Sequence, residues 1–158
     1  MMQILVAASA WLHSLATIVF IGFYLLLALI FLPILGNEEM LKTTGAALSG
    51  ISKRSRVWIY ISMLVFIVTG VYLTFVDSNY RGIGNFSNPW AILMLIKHIL
   101  ILGMLGMGFW FNAILRVGPL MSSNTGASQA LSRFRWYVNA MAIIGVVVLF
   151  LTALSQAQ

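Results

Sequence analysis

Four apolar runs, each long enough to cross a bilayer as a helix, constrain this chain more than any other feature. Spanning roughly 30 Å of hydrocarbon takes about 20 helical residues, and the runs at about 4–35, 57–76, 90–112 and 136–154 all qualify. Hydrophobic residues make up 61% of the 158 and charged residues only 8%. A soluble domain of this size buries only about 70% of its unfolded surface, so this much apolar surface has no place in water. The expected fold is all-α: an integral membrane four-helix bundle forming one domain over residues 1–158.

The connections follow from the polar residues. Pro33 and Gly36 close the first run, which exceeds a perpendicular crossing and must tilt or project into the interface. Residues 40–51 carry some helical periodicity and are expected to lie along the membrane surface. Asp77, Ser78, Asn79, Arg81 and Gly82 mark a short loop, and Gly118 with Pro119 breaks the chain after the third run. The first run lacks a basic leader and is too long for a signal peptide's apolar segment, so it reads as a retained span.

Charge sets the orientation. The loops after the first and third runs carry Lys42, Lys53, Arg54, Arg56, Arg116, Arg133 and Arg135, whereas the middle loop carries only Arg81. Basic loops stay on the cytoplasmic side, which places both termini on the outer, periplasmic side. The formal charge of +6 is thereby accounted for by topology, and nucleic acid is not an expected partner. The lipid bilayer is the expected surroundings, and a short-looped chain of this size also fits a homo-oligomer or a subunit of a larger membrane complex.

Cysteine is absent, so thiolate metal sites and covalent haem attachment through Cys-x-x-Cys-His are excluded. What remains is a small set of ionisable groups inside the runs. Such groups cost about 2.5–3.5 kcal/mol each at a helix centre on insertion scales and default to function. They are His13 on the first run and the adjacent Lys97 and His98 on the third. His13 lies nine residues beyond Ile4 and His98 eight beyond Trp90. At 1.5 Å per residue, both imidazoles fall roughly 12–14 Å from the outer ends of their spans.

Equal depth on helices that can face each other suits two axial ligands to a haem iron. The residue expectation is therefore haem b held by His13 and His98. The small neighbours Ser9, Ala10, Ala16 and Thr17 would leave room for the macrocycle, Met94, Ile101 and Leu102 would wall it, and Lys97 would reach a propionate or serve as an alternative iron partner. A bis-His iron has no open position, which favours electron transfer, with a quinol or a redox protein as partner. Copper is the rival, because imidazole and thioether suit Cu(I), and Met94 and Met104 share the third run with His98. A purely structural role is the third possibility: Ser14, Thr17, Ser62, Thr69 and Asn139 can each hydrogen-bond an intramembrane imidazole. No carboxylate lies within a span and no nucleophile–base pair occurs, so a carboxylate proton relay and hydrolytic chemistry have no support.

Several short motifs carry a resemblance: Trp11-Leu12-His13 opening the first run, Phe31-Leu32-Pro33 closing it, Leu95-Ile96-Lys97 in the third, 112–116 at its end, and Arg133-Phe134-Arg135 entering the fourth. Together they resemble the membrane domain of the copper-resistance protein D (CopD) family, related to HemJ-type protoporphyrinogen oxidases. The resemblance implies a bacterial inner-membrane location and copper uptake on the CopD side. On the HemJ side it implies haem b and oxidase activity, with His13 and Lys97 at the matching positions. This chain departs from the HemJ pattern after Leu32-Pro33, where it reads Ile34-Leu35-Gly36 in place of an Arg-Leu-Phe segment ending in His.

Overall fold

The computed structural model describes residues 1–34, 38–110 and 127–157, with the side chains of 38–53 and 127–131 excepted. Helix α1 (Met2–Leu26) continues through a π-helical turn at Leu27–Phe31 into a last helical turn at Leu32–Ile34. Pro33 lacks an N–H and its ring crowds the carbonyl four residues earlier, at Leu29. The wider π turn spans Leu29 and relieves that crowding. Helix α2 (Glu38–Val76), α3 (Pro89–Trp110) and α4 (Ala127–Gln156) complete the bundle. Four segments are long and apolar enough to cross a membrane: Met2–Ile34, Arg54–Val76, Pro89–Trp110 and Ser132–Gln156. No strand occurs among the described residues. This is an all-α integral membrane fold.

One expectation changes. Residues 40–51 do not form a separate surface helix but belong to the continuous 39-residue α2. At 1.5 Å per residue that helix is about 58 Å long, nearly twice the hydrocarbon thickness, so its first turns extend beyond the span. The expected break at 116–119, the motif at 112–116, and the side chains of Lys42 and Lys53 lie outside the described residues.

The loop between α2 and α3 fixes the depth at which α3 begins. Asn88 caps the helix, its Oδ1 accepting the Ala91 N–H at 2.9 Å, and Pro89 occupies the first helical position, where no N–H is needed. Asn88 Nδ2 also donates to the Asn79 carbonyl at 3.0 Å, tying the cap to the loop. Gly82 and Gly84 turn the chain at φ +104° and +82°, a region that side-chain-bearing residues avoid.

Helix α1 is the hub. It packs along α2 and also against α4, while α3 packs on α4; α1 and α3 share no extended interface. The core gathers Phe20, Ile21, Tyr24 and Leu27 from α1, Ile59 from α2, Met104 from α3, and Tyr137, Val138, Met141 and Val148 from α4. Association in lipid depends on close packing and interhelical hydrogen bonds, because lipid tails are as apolar as leucine. Gly145 illustrates the first: a Cβ there would sit 2.8 Å from Ile21 Cγ2, so only glycine lets α1 and α4 approach this closely. The pair Tyr24–Tyr137 illustrates the second, its hydroxyls 2.7 Å apart in the core.

A candidate cofactor site within the membrane

His13 is half-buried and turned toward α2. Its ring stacks on Phe66 at a centroid distance of 4.5 Å and an interplanar angle of 21°. Gly70 makes room for it, since a Cβ at that position would lie 3.1 Å from His13 Cε1. His13 Nδ1 lies 2.9 Å from Thr69 Oγ1, and the direction of that bond follows from proton counting. The Thr69 hydroxyl donates its only proton to the Val65 carbonyl at 2.6 Å, so toward His13 it can only accept. His13 Nδ1 therefore carries the proton and Nε2 bears the lone pair.

The same reasoning settles His98. Its Nδ1 is 2.6 Å from the Met94 carbonyl oxygen, one turn earlier on its own helix. A carbonyl only accepts, so Nδ1 donates and Nε2 again keeps the lone pair. Metal-binding histidines commonly have this arrangement, with one nitrogen anchored by a hydrogen bond and the other free to coordinate. Both imidazoles are thus chemically fit to bind a transition metal.

They differ in placement. On α3 the inward face runs through Trp90, Lys97, Met104 and Gly108, all buried. Lys97 is 9% exposed, whereas His98, about 100° round the helix, is half-buried on the flank. Lys97 also lies close enough to His13 to act on it electrostatically. His13 and Lys97 lie within electrostatic range of each other but share no hydrogen bond, and no contact between His13 and His98 occurs among the described residues. Lys97 makes no hydrogen bond among the described residues, and the chain's three acidic residues, Glu38, Glu39 and Asp77, all lie outside the spans.

The remaining expected site residues scatter. Met94 and Ile101 are half-buried, but Leu102 is 66% exposed and faces away from the bundle. Met104 is buried in the core cluster with Tyr137 and Met141, and its six-residue offset from His98 is about 9 Å along the helix. Among the described residues, no group of three or more His, Cys, Asp or Glu converges as a metal site. Ala16 is buried beside His13 on α1, as a small neighbour should be.

Sequence reasoning did not single out Tyr24, Tyr137 or Phe66. Rings run in sequence from His13 to Phe66, from Phe66 to Phe20 at 6.5 Å, from Phe20 to Tyr24 at 5.6 Å, and from Tyr24 to Tyr137 at 5.8 Å. The available signal was position: Tyr24 sits within a span, away from the interfacial belts where tyrosine usually gathers.

These features define an α-helical membrane protein with four segments long and apolar enough to cross a membrane. The chain belongs to the family described as copper resistance protein D, whose model matches residues 50–155. That stretch includes Thr69, Lys97 and His98 and leaves out His13 and the rest of α1. Comparison with curated proteins and with solved structures gave no match.

Proposed function

We propose that this chain is a haem b protein of the bacterial inner membrane, holding the iron between α1 and α3 and passing electrons between a quinol or membrane enzyme and an acceptor on the side of the chain termini. The observation that carries this reading is the inward pair: His13, with Nδ1 committed to Thr69 and Nε2 available, and Lys97, buried nearby with no counter-ion. A haem bound there would supply a one-electron couple. Thr69 fixes the tautomer and orientation of His13, and Phe66 covers one face of the ring. Lys97 would serve as the second ligand; a coordinating amine is neutral, which would remove the cost of burying an ammonium among apolar helices. His98 is the alternative second ligand, and in that case Lys97 would pair with a propionate. With two protein ligands on the iron in either case, the group would supply electron transfer rather than oxygen chemistry.

Copper is the second reading, and membership of the copper resistance protein D family favours it. Imidazole from His98 and the thioether of Met94, one turn apart, suit Cu(I). Against it stands Met104, the other thioether expected to contribute, which is buried in the core cluster about 9 Å along the helix from His98.

The deciding measurement is an absorption spectrum of the detergent-purified protein, oxidised and dithionite-reduced, with metal analysis on the same sample. A sharp reduced α-band at near-stoichiometric iron is expected, lost in His13→Ala and in Lys97→Leu and retained in His98→Ala. Retention in Lys97→Leu with loss in His98→Ala would assign bis-His ligation instead. A colourless protein that carries copper, weakened by Met94→Leu, would overturn the haem reading.

A further inference from the structure

At the other end of the bundle from His13, a recess of about 310 Å³ is lined by Ala28, Leu32, Pro33, Arg135 and Asn139. Its two walls differ in chemistry. The α1 wall is wholly apolar, whereas the α4 wall presents two polar side chains one turn apart. Arg135 Nε is enclosed and has no hydrogen-bond partner, and Asn139 is exposed within a membrane span with no hydrogen bond among the described residues. A buried donor left unsatisfied costs about 1–3 kcal/mol, and more when it belongs to a charged group. Arg135 and Asn139 thus lie one turn apart on one helix, and the enclosed Nε of Arg135 is a donor without an acceptor among the described residues. Neither α1, α3 nor α4 contains an acidic residue, and Arg135 Nε has no partner, so an acceptor from outside the chain would satisfy it.

Depth and shape select its class. Arg135 immediately precedes the apolar run that begins at Trp136, at the level where lipid headgroups meet acyl chains. A small aqueous anion would use the Arg135–Asn139 wall and gain nothing from Ala28, Leu32 and Pro33. We propose that the recess binds an anionic phospholipid, whose phosphate oxygens accept from Arg135 Nε and the Asn139 amide while an acyl chain lies against Ala28, Leu32 and Pro33. Arginine suits this role better than lysine because its planar fork presents several donors in fixed geometry to a phosphate. The site is separate from the His13–Lys97 region and does not depend on the identity of any cofactor there.

The test is native mass spectrometry of the detergent-purified protein titrated with phosphatidylglycerol. The wild type is expected to retain one lipid tightly. Arg135→Gln should weaken that binding by about tenfold, and Leu32→Trp should do the same by filling the recess while leaving the charge in place. Arg135→Lys should fall between wild type and Arg135→Gln. If Arg135→Gln does not fold, Leu32→Trp decides the matter alone. Equal retention of phosphatidylglycerol by the wild type and both variants would overturn the proposal. So would displacement of the lipid by inorganic phosphate, which would identify a free anion as the occupant.

Discussion

A hydroxyl with one proton to give determines the chemistry of His13. Because Thr69 spends that proton on Val65, the imidazole must donate through Nδ1. With only two histidines in the chain, the claim is directly readable. ¹⁵N NMR of histidine-labelled protein should show both rings as Nδ1–H tautomers, provided no metal is bound. Thr69→Val removes the acceptor and should let His13 exchange between tautomers while His98 is unchanged. Its stability cost should be about 0.6 kcal/mol, the average for an interhelical hydrogen bond in a membrane protein. A single Nδ1–H state that persists in Thr69→Val would mean that some other group holds the ring. The Tyr24–Tyr137 pair makes a parallel test. A double-mutant cycle with Tyr24→Phe and Tyr137→Phe, read by unfolding in mixed detergent, should give a coupling of about 0.6 kcal/mol and no more than about 1.7. At this scale the sequence was partly legible. Ionisable side chains inside apolar runs are conspicuous, so His13, Lys97 and His98 all stood out, and Thr69 was among the hydrogen-bonding partners on offer. Which of Lys97 and His98 turns inward was not legible, because they are neighbours on a helix apolar on nearly every side, and no polar face betrays the direction of the interior.

At the scale of helices, the same uniformity explains what could and could not be read. Span existence depends on length and hydropathy alone, and all four spans were legible to within a few residues. Helix order depends on which small residues face a neighbour, and sequence does not distinguish a glycine that packs from one that faces lipid. Gly103 and Gly106 have no neighbouring atom within 4 Å of where a Cβ would sit, whereas Gly145 meets Ile21. Gly145→Ala should therefore force α1 and α4 apart and cost about 1–3 kcal/mol, the usual penalty for overpacking. Gly106→Ala should be neutral or stabilising by up to about 1 kcal/mol, the gain in helix propensity from glycine to alanine. Both are measured by the same detergent unfolding assay. Equal effects at the two positions would show that the α1–α4 contact does not depend on glycine. Gly70→Ala belongs to a different class: its Cβ would press on His13 Cε1 at 3.1 Å, so its effect should appear in the orientation of that ring and in any cofactor bound to it more than in global stability.

For the whole molecule, orientation in the membrane decides where each site works. The His13–Lys97 region lies toward the end that carries the chain termini, and the Arg135 recess lies toward the opposite end, with Arg54, Arg56 and Arg133. Arginines and lysines near span ends are retained on the cytoplasmic side, where the leaflet's anionic lipids attract them by about 1 kcal/mol per basic residue. On that rule the recess is expected in the inner leaflet and the His13–Lys97 region in the outer half of the bilayer. The absence of cysteine makes the test simple, because a single introduced thiol is the only reactive one. Ser78 lies in the loop between α2 and α3 and Ser132 at the start of the last span, so α3 separates them and they must lie on opposite sides. In intact cells, Ser78→Cys should react with a membrane-impermeant maleimide, and Ser132→Cys should react only after the membrane is opened. The reverse pattern would invert the orientation and move the recess to the outer leaflet. It would also require the redox acceptor of the His13–Lys97 region to be sought on the cytoplasmic side. Labelling of both thiols in intact cells would contradict the crossing of α3 itself.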